Sequence, residues 1–184
     1  MKILIASDIH GSLYALKQLL SALEKEKADR FILLGDFLYH GPRNPLPKEY
    51  NPAAVAELLN SLSTPPLCVR GNCDAEVDQM LLKFPIMADY ALLALPNGKM
   101  AFITHGHLFS LENPPSFKKG DVLIHGHTHV HVCAKEQDGL FYLNPGSVSL
   151  PKENQVPTYL IFDEGTFILK QLDNGQILKE FEYC

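Results

Sequence analysis

Residues 3–10 read Ile3-Leu4-Ile5-Ala6-Ser7-Asp8-Ile9-His10, and they set the pattern for the first half of the chain. An aliphatic run ends in residues able to hold a cation, and a helix follows. Leucines at 13, 16, 19, 20 and 23 recur at helical spacing, which predicts a helix over Leu13 to Lys25 behind a strand over Ile3 to Ala6. Phe31 to Leu34 repeats the run and ends at Gly35-Asp36. A proline-rich loop then spans Tyr39 to Pro52, and Ala53 to Leu62 reads as a second helix with Pro52 near its first turn. Leu67 to Val69 is a third short strand, ending at Gly71-Asn72-Cys73-Asp74. Strands alternating with helices at this spacing argue for βαβ units and a parallel sheet.

Beyond Tyr90 the pattern becomes one of hairpins. Ala91 to Leu95 and Met100 to Thr104 flank Asn97-Gly98, a pair suited to the positive-φ positions of a type I′ turn. Val122 to Ile124 delivers His125 and its neighbours, and Val130 to Ala134 is expected to pair with Leu140 to Leu143 across Gln137-Asp138-Gly139. Thr158 to Phe162, Phe167 to Gln171 and Ile177 to Phe181 read as a meander that supplies a second sheet. The expected fold is α/β: two mixed β-sheets packed face to face and flanked by helices, in one domain spanning residues 1–184.

A formal charge of -5 and a pI near 5.9 argue against a surface built to grip bulk nucleic acid, because such binding runs on lysine and arginine releasing counterions. A small phosphate-bearing substrate stays open, since bound divalent ions supply positive charge locally. Cys68, Cys73, Cys133 and Cys184 show no CxxC spacing, the apolar run after Lys2 is too short for a signal peptide, and no stretch reaches the roughly 20 apolar residues that span a bilayer. A cytoplasmic protein with reduced thiols and no membrane partner is expected. Exposed edges of the meander leave a homo-oligomer open.

Six of the eight histidines fall between 105 and 131, as His105-Gly106-His107 and His125-Gly126-His127-Thr128-His129-Val130-His131. So dense a set at the ends of apolar runs reads as metal ligation. With Asp8, His10, Asp36 and Asn72 also ending strands, ligands from across the chain would converge at the carboxyl ends of a sheet. The mixture of oxygen and imidazole donors favours Mn²⁺, with Zn, Fe, Ni or Co as alternatives, and the number of donors suits two ions sharing a carboxylate about 3.5–4 Å apart.

The blocks Asp8-Ile9-His10-Gly11, Gly35-Asp36, Gly71-Asn72-Cys73-Asp74, His105-Gly106-His107 and Gly126-His127-Thr128-His129 resemble, in order, those of the calcineurin-like metallophosphoesterase superfamily, and within it YfcE-type bacterial phosphodiesterases. Any one block is weak, and five in order at strand ends are highly specific. The resemblance implies that Asp8, His10 and His129 hold one metal, that Asn72, His105 and His127 hold the other, and that Asp36 bridges them. It further implies metal-dependent hydrolysis of a small phosphodiester by a metal-activated hydroxide.

Position 73 departs from the pattern. Similar enzymes commonly carry a histidine there to protonate the leaving oxygen, with the next aspartate orienting it, so Cys73 and Asp74 are the catalytic candidates. A thiol donates weakly and brings no positive charge, which points to substrates with good leaving groups or to another acid, with His107 and His40 as candidates. His125 and His131 read as packing or supporting residues. Arg43 reads as an anchor of its surface loop before a phosphate clamp, Asn144-Pro145-Gly146-Ser147 as a structural turn beside the site, and Cys68 and Cys133 as core residues. The rival activities are phosphomonoester or nucleotide pyrophosphate hydrolysis on the same centre. A noncatalytic scaffold is the rival of another class, although all seven metal positions keep competent ligands.

Overall fold

A computed structural model of the chain describes residues 1–136 and 139–182, with residue 97 described by its backbone alone. The elements run β1 (Ile3–Ala6), α1 (Leu13–Glu26), β2 (Arg30–Leu33), α2 (Pro52–Asn60), β3 (Leu67–Cys68), α3 (Glu76–Leu81), β4 (Tyr90–Ala94), β5 (Met100–Thr104), β6 (Val122–Ile124), β7 (His131–Lys135), β8 (Phe141–Pro145), β9 (Thr158–Asp163), β10 (Thr166–Gln171) and β11 (Ile177–Glu182). One sheet has the order β11-β10-β9-β1-β2-β3 and the other β4-β5-β6-β8-β7. Both are mixed. The pairs β1–β2, β2–β3, β5–β6 and β6–β8 are parallel, and the remaining pairs are antiparallel.

The strand period of two assigns each side chain of β1 to a layer. Leu4 and Ala6 pack under the helices with Leu16, Leu19, Val55 and Leu59, whereas Ile3 and Ile5 face Ile103, Val122, Ile124 and Leu143 of the other sheet. A strand buried on both faces must be continuously apolar, and Ile3–Ala6 is. α1 starts where the Ser12 hydroxyl accepts the Ala15 N–H at 3.1 Å and stops at Lys27, whose φ of +53° ends the turn. Trimming buried Leu16 or Leu19 to alanine would cost about 2–5 kcal/mol. The helical cover lies on the outer face of the first sheet. Across the molecule Phe102, Leu123 and Tyr142 on the second sheet's outer face are covered by Phe117 and Leu140 from coil segments.

Two expectations are corrected. The C-terminal meander β9–β11 extends the first sheet, because β9 pairs antiparallel with β1 in the register Ile3↔Phe162 and Ile5↔Leu160. That register sends Leu160 and Phe162 to the interface between sheets and Tyr159 and Ile161 to the helices, so β9 satisfies both cores. The second sheet is built instead from β4 to β8. The β4–β5 hairpin forms, but it closes through a 3-10 turn over Pro96–Gly98 rather than a two-residue type I′ turn, with the Leu95 N–H donating to Lys99 O at 2.8 Å. β7 and β8 pair as expected, while residues 137 and 138 of the intervening turn lie outside the described residues. α3 was not legible because Val77, Met80 and Leu81 are exposed, leaving no apolar stripe; its N-terminus is held by the Asp78 carboxylate, which accepts the Ala75 N–H at 2.8 Å.

Candidate metal centre

Asp8 and His10 follow β1, Asp36 follows β2, Asn72 follows β3, His105 follows β5, and His127 and His129 follow β6, so strand ends of both sheets feed one place. The loops interlock closely enough to exclude side chains at several glycines, two of them against the ligand loops themselves. A Cβ on Gly126 would run into Ser7 and Asp8 across the gap between sheets, and one on Gly71 would strike the Asp36 carboxylate. Backbone strain concentrates at the same place. Asp8, His10, Asp36, His127 and His129 all have φ between +50° and +67°, half of the ten non-glycine residues in that region among the described residues. Such residues cost about 1–3 kcal/mol each and persist where the surroundings fix them, and aspartate and histidine tolerate the conformation better than most.

The surroundings are identifiable. Ser147 and Ser149 both donate to the Asp8 carbonyl, at 2.9 and 2.8 Å, and the His127 N–H donates to Asp8 Oδ2 at 3.1 Å. Buried Asn144 donates to Gly126 O at 2.9 Å and to Thr128 Oγ1 at 3.0 Å, and accepts the Gly146 N–H at 2.8 Å, fixing the turn that carries His127 and His129. The expected turn at 144–147 is therefore a clamp on two ligand loops. Asp74 spends both carboxylate oxygens on backbone N–H groups of Asp36, Phe37 and Gly71, at 2.7–2.8 Å. Burial, then the Asp36 charge, push its carboxyl up to about 6.

The donor set fits cations by its tautomers. Nδ1 of His10, His129 and His105 each lies 2.7 Å from a carbonyl, those of Tyr39, Leu150 and Leu34. A carbonyl only accepts, so each Nδ1 carries the proton and each neutral ring turns the lone pair of Nε2 inward. His10 Nε2 and His129 Nε2 then stand 3.1 Å apart, with Asp8 Oδ1 at 3.5 and 3.3 Å. Three acceptors converge, and buried Asp8 Oδ1 has no hydrogen-bond partner among the described residues. Asp36 Oδ2 lies 3.5 Å from both His10 Nε2 and His105 Nε2, and Asn72 Oδ1 lies 3.1 Å from His105 Nε2. The His127 ring stands 5.1 Å from that of His105.

Electrostatics agree. Burial alone would raise the Asp8 carboxyl, but His10 and His129 hold it well below the usual range. Burial likewise opposes charge on His10, yet Asp8 and Asp36 raise its proton affinity. The cluster draws in positive charge, for which a proton and a metal ion compete. Burial and the nearby His105 hold His127 down to about 4, leaving a neutral ligand.

The other candidates are placed as follows. Cys73 is half-buried, and its N–H donates to Asp36 Oδ1 at 2.8 Å. Burial, then the Asp36 charge, push the thiol up to about 12. His107 stands beside His105, at 5.4 Å between rings, and burial lowers its proton affinity. His40 is wedged between the rings of Tyr39 and Tyr50. His125 is buried against Tyr142, His131 reaches Thr158 Oγ1 at 3.4 Å, and Cys68 and Cys133 are buried in separate cores. Arg43 is exposed at the rim of a cleft of about 410 Å³ beside the ligands.

Comparison with known proteins identifies the family. The chain is 46% identical over 180 residues to phosphodiesterase YfcE of Escherichia coli, covering 98% of this chain and 97% of that protein. The solved E. coli Yfce structure, described as a phosphoesterase, superposes with a TM-score of 0.96 at 43% identity over the full length of both chains. Vps29 of Entamoeba histolytica, solved with Zn²⁺, shares the fold with a TM-score of 0.62 at 16% identity over the full length of both chains. Residues 1–166 match the calcineurin-like phosphoesterase superfamily domain, and the chain belongs to that superfamily.

Proposed function

We propose that this chain is a metal-dependent phosphodiesterase acting on a small substrate, with two divalent ions, Mn²⁺ foremost, held by Asp8, His10 and His129 on one side, Asn72, His105 and His127 on the other, and Asp36 between. The observation that carries the reading is Asp36 Oδ2 standing equidistant, at 3.5 Å, from His10 and His105, each of which faces a further set of lone pairs. When bound, such ions lower the pKa of water and neutralise charge on phosphoryl oxygens. The chain's own residues fix where this happens. Asp74 is a positioning residue: by gathering the N–H groups around Asp36 and Gly71 it holds the shared carboxylate and leaves none of its own oxygens for substrate. The neutral Cys73 thiol, lining the cleft, offers the leaving oxygen one weak donor and no positive charge. That suits diesters whose leaving group departs without full protonation.

A net charge of -5 supports a small substrate over bulk nucleic acid. Free, buried Cys68 and Cys133 support a reducing, cytoplasmic setting, and no described helix is long and apolar enough to cross a membrane. The test is hydrolysis of a diester and a monoester sharing the 4-nitrophenyl group by metal-stripped protein refilled separately with Mn²⁺, Zn²⁺, Ni²⁺ and Mg²⁺. Metal-dependent diester turnover, highest with Mn²⁺, is expected. Stoichiometric metal uptake without turnover would shift the assignment to a scaffold.

A further inference from the structure

The cleft beside the ligands carries positive charge that the hydrolytic chemistry does not use. Arg43 and Lys152 line it, and Asp36 is the only carboxylate among its described lining residues. Both cationic side chains are exposed, and among the described residues neither forms an ion pair with a carboxylate. In a chain of formal charge -5, two uncommitted cations at one cleft reverse the sign of the surface locally.

Their mounting ties them to one half of the centre. Tyr39 O accepts the His10 Nδ1–H at 2.7 Å, and the chain then turns, with the Asn44 N–H donating to Gly41 O at 3.3 Å and Asn44 Nδ2 to His40 O at 2.9 Å, carrying Arg43 on the turn. The turn lies close over the site, since a Cβ on Gly41 would come to 3.2 Å from Cys73 Sγ. Lys152 is tied directly to the same half, its N–H donating to His129 O at 3.1 Å. Two segments distant in sequence thus bring their cations to the cleft from anchors on His10 and His129, while Asn72 and Cys73 line it from the other half.

We propose that Arg43 and Lys152 form an anion subsite, so that the substrate is a phosphodiester whose retained arm carries a second negative group. The inference rests on the phosphodiesterase reading. That reading puts the leaving oxygen at Cys73, while Arg43 and Lys152 are carried on segments anchored at His10 and His129, and the second charge is assigned to the arm retained on phosphorus on that side. The guanidinium fork of Arg43 suits the paired oxygens of a carboxylate or phosphate, and Lys152 adds a point charge.

The test compares two diesters with the same 4-nitrophenolate leaving group and arms of equal shape: 4-carboxyphenyl and 4-carbamoylphenyl. The Mn²⁺-loaded wild-type protein is expected to favour the charged arm by about tenfold in kcat/KM, with the ratio shrinking as salt screens the exposed cations. Arg43→Gln and Lys152→Gln should each lower the ratio by about threefold, and the double variant should bring it close to one. Equal kcat/KM on the two arms in the wild type, or an unchanged ratio in the double variant, would overturn the subsite while leaving the phosphodiesterase reading standing. Turnover of neither diester with any ion would overturn that reading and the subsite with it.

Discussion

The two halves of the candidate metal centre are built differently. Asp8, His10 and His129 are at most 2% exposed, and their three inward acceptors include a full carboxylate. In the other half His105 is equally buried, but Asn72 is exposed, His127 is half-buried, and the amide of Asn72 stands where the first half has the charge of Asp8. Acceptors sealed from water depend on a cation to relieve them, whereas acceptors at a cleft can be hydrated. Ion affinity also rises with the number of charged ligands. The sealed half is therefore expected to hold its ion tightly and the open half to exchange it, with substrate entering where exchange is possible.

Asp36 Oδ2 stands between the two halves, 3.5 Å from His10 Nε2 and from His105 Nε2, so its loss should erase the difference between them. Asp36→Ala is expected to lower diester turnover by at least about a thousandfold and to weaken both ions, read by steady-state rates and metal content after dialysis. His129→Ala and His127→Ala separate the halves. The first should weaken the tight ion by about a hundredfold, and the second should retain one equivalent through gel filtration while losing most turnover. Equal metal retention in the two variants would remove the asymmetry.

Asn144→Ala probes the clamp behind the ligands. It touches no substrate yet frees the Gly126 carbonyl and the Gly146 N–H, so metal affinity should fall about ten- to a hundredfold and stability by about 1–3 kcal/mol in urea unfolding. The smallest effect is expected at Cys73. Replacement by alanine should change turnover of a 4-nitrophenyl diester by less than about threefold and that of an alkyl diester by more, because only a poor leaving group needs a proton.

The convergence of the candidate ligands was legible because each member closes an apolar run, and a strand end is visible in local sequence. The structure brings Asp8, His10, Asp36, Asn72, His105, His127 and His129 together as that pattern suggested. What holds them was less visible. Ser147 and Ser149 act on the carbonyl of Asp8, and Asn144 on that of Gly126, through bonds spanning long stretches of chain that leave no periodic signature. The same limit applied to the meander. The apolar run Thr158 to Phe162 identified β9 as a strand, but only the register against β1, which lets Leu160 and Ile161 face two different cores, decided which sheet it joins. Arg43 read as an anchor of its surface loop, and nothing in local sequence singled out Lys152; they become a pair only at the shared cleft.

The most direct test of a shared carboxylate is the electron paramagnetic resonance spectrum of metal-stripped protein as Mn²⁺ is added. The structure leads us to expect an isolated-ion spectrum at the first equivalent, replaced at the second by the broadened spectrum of two exchange-coupled ions as turnover appears. Two independent ion spectra at full loading, or full turnover at one equivalent, would contradict a centre bridged by Asp36.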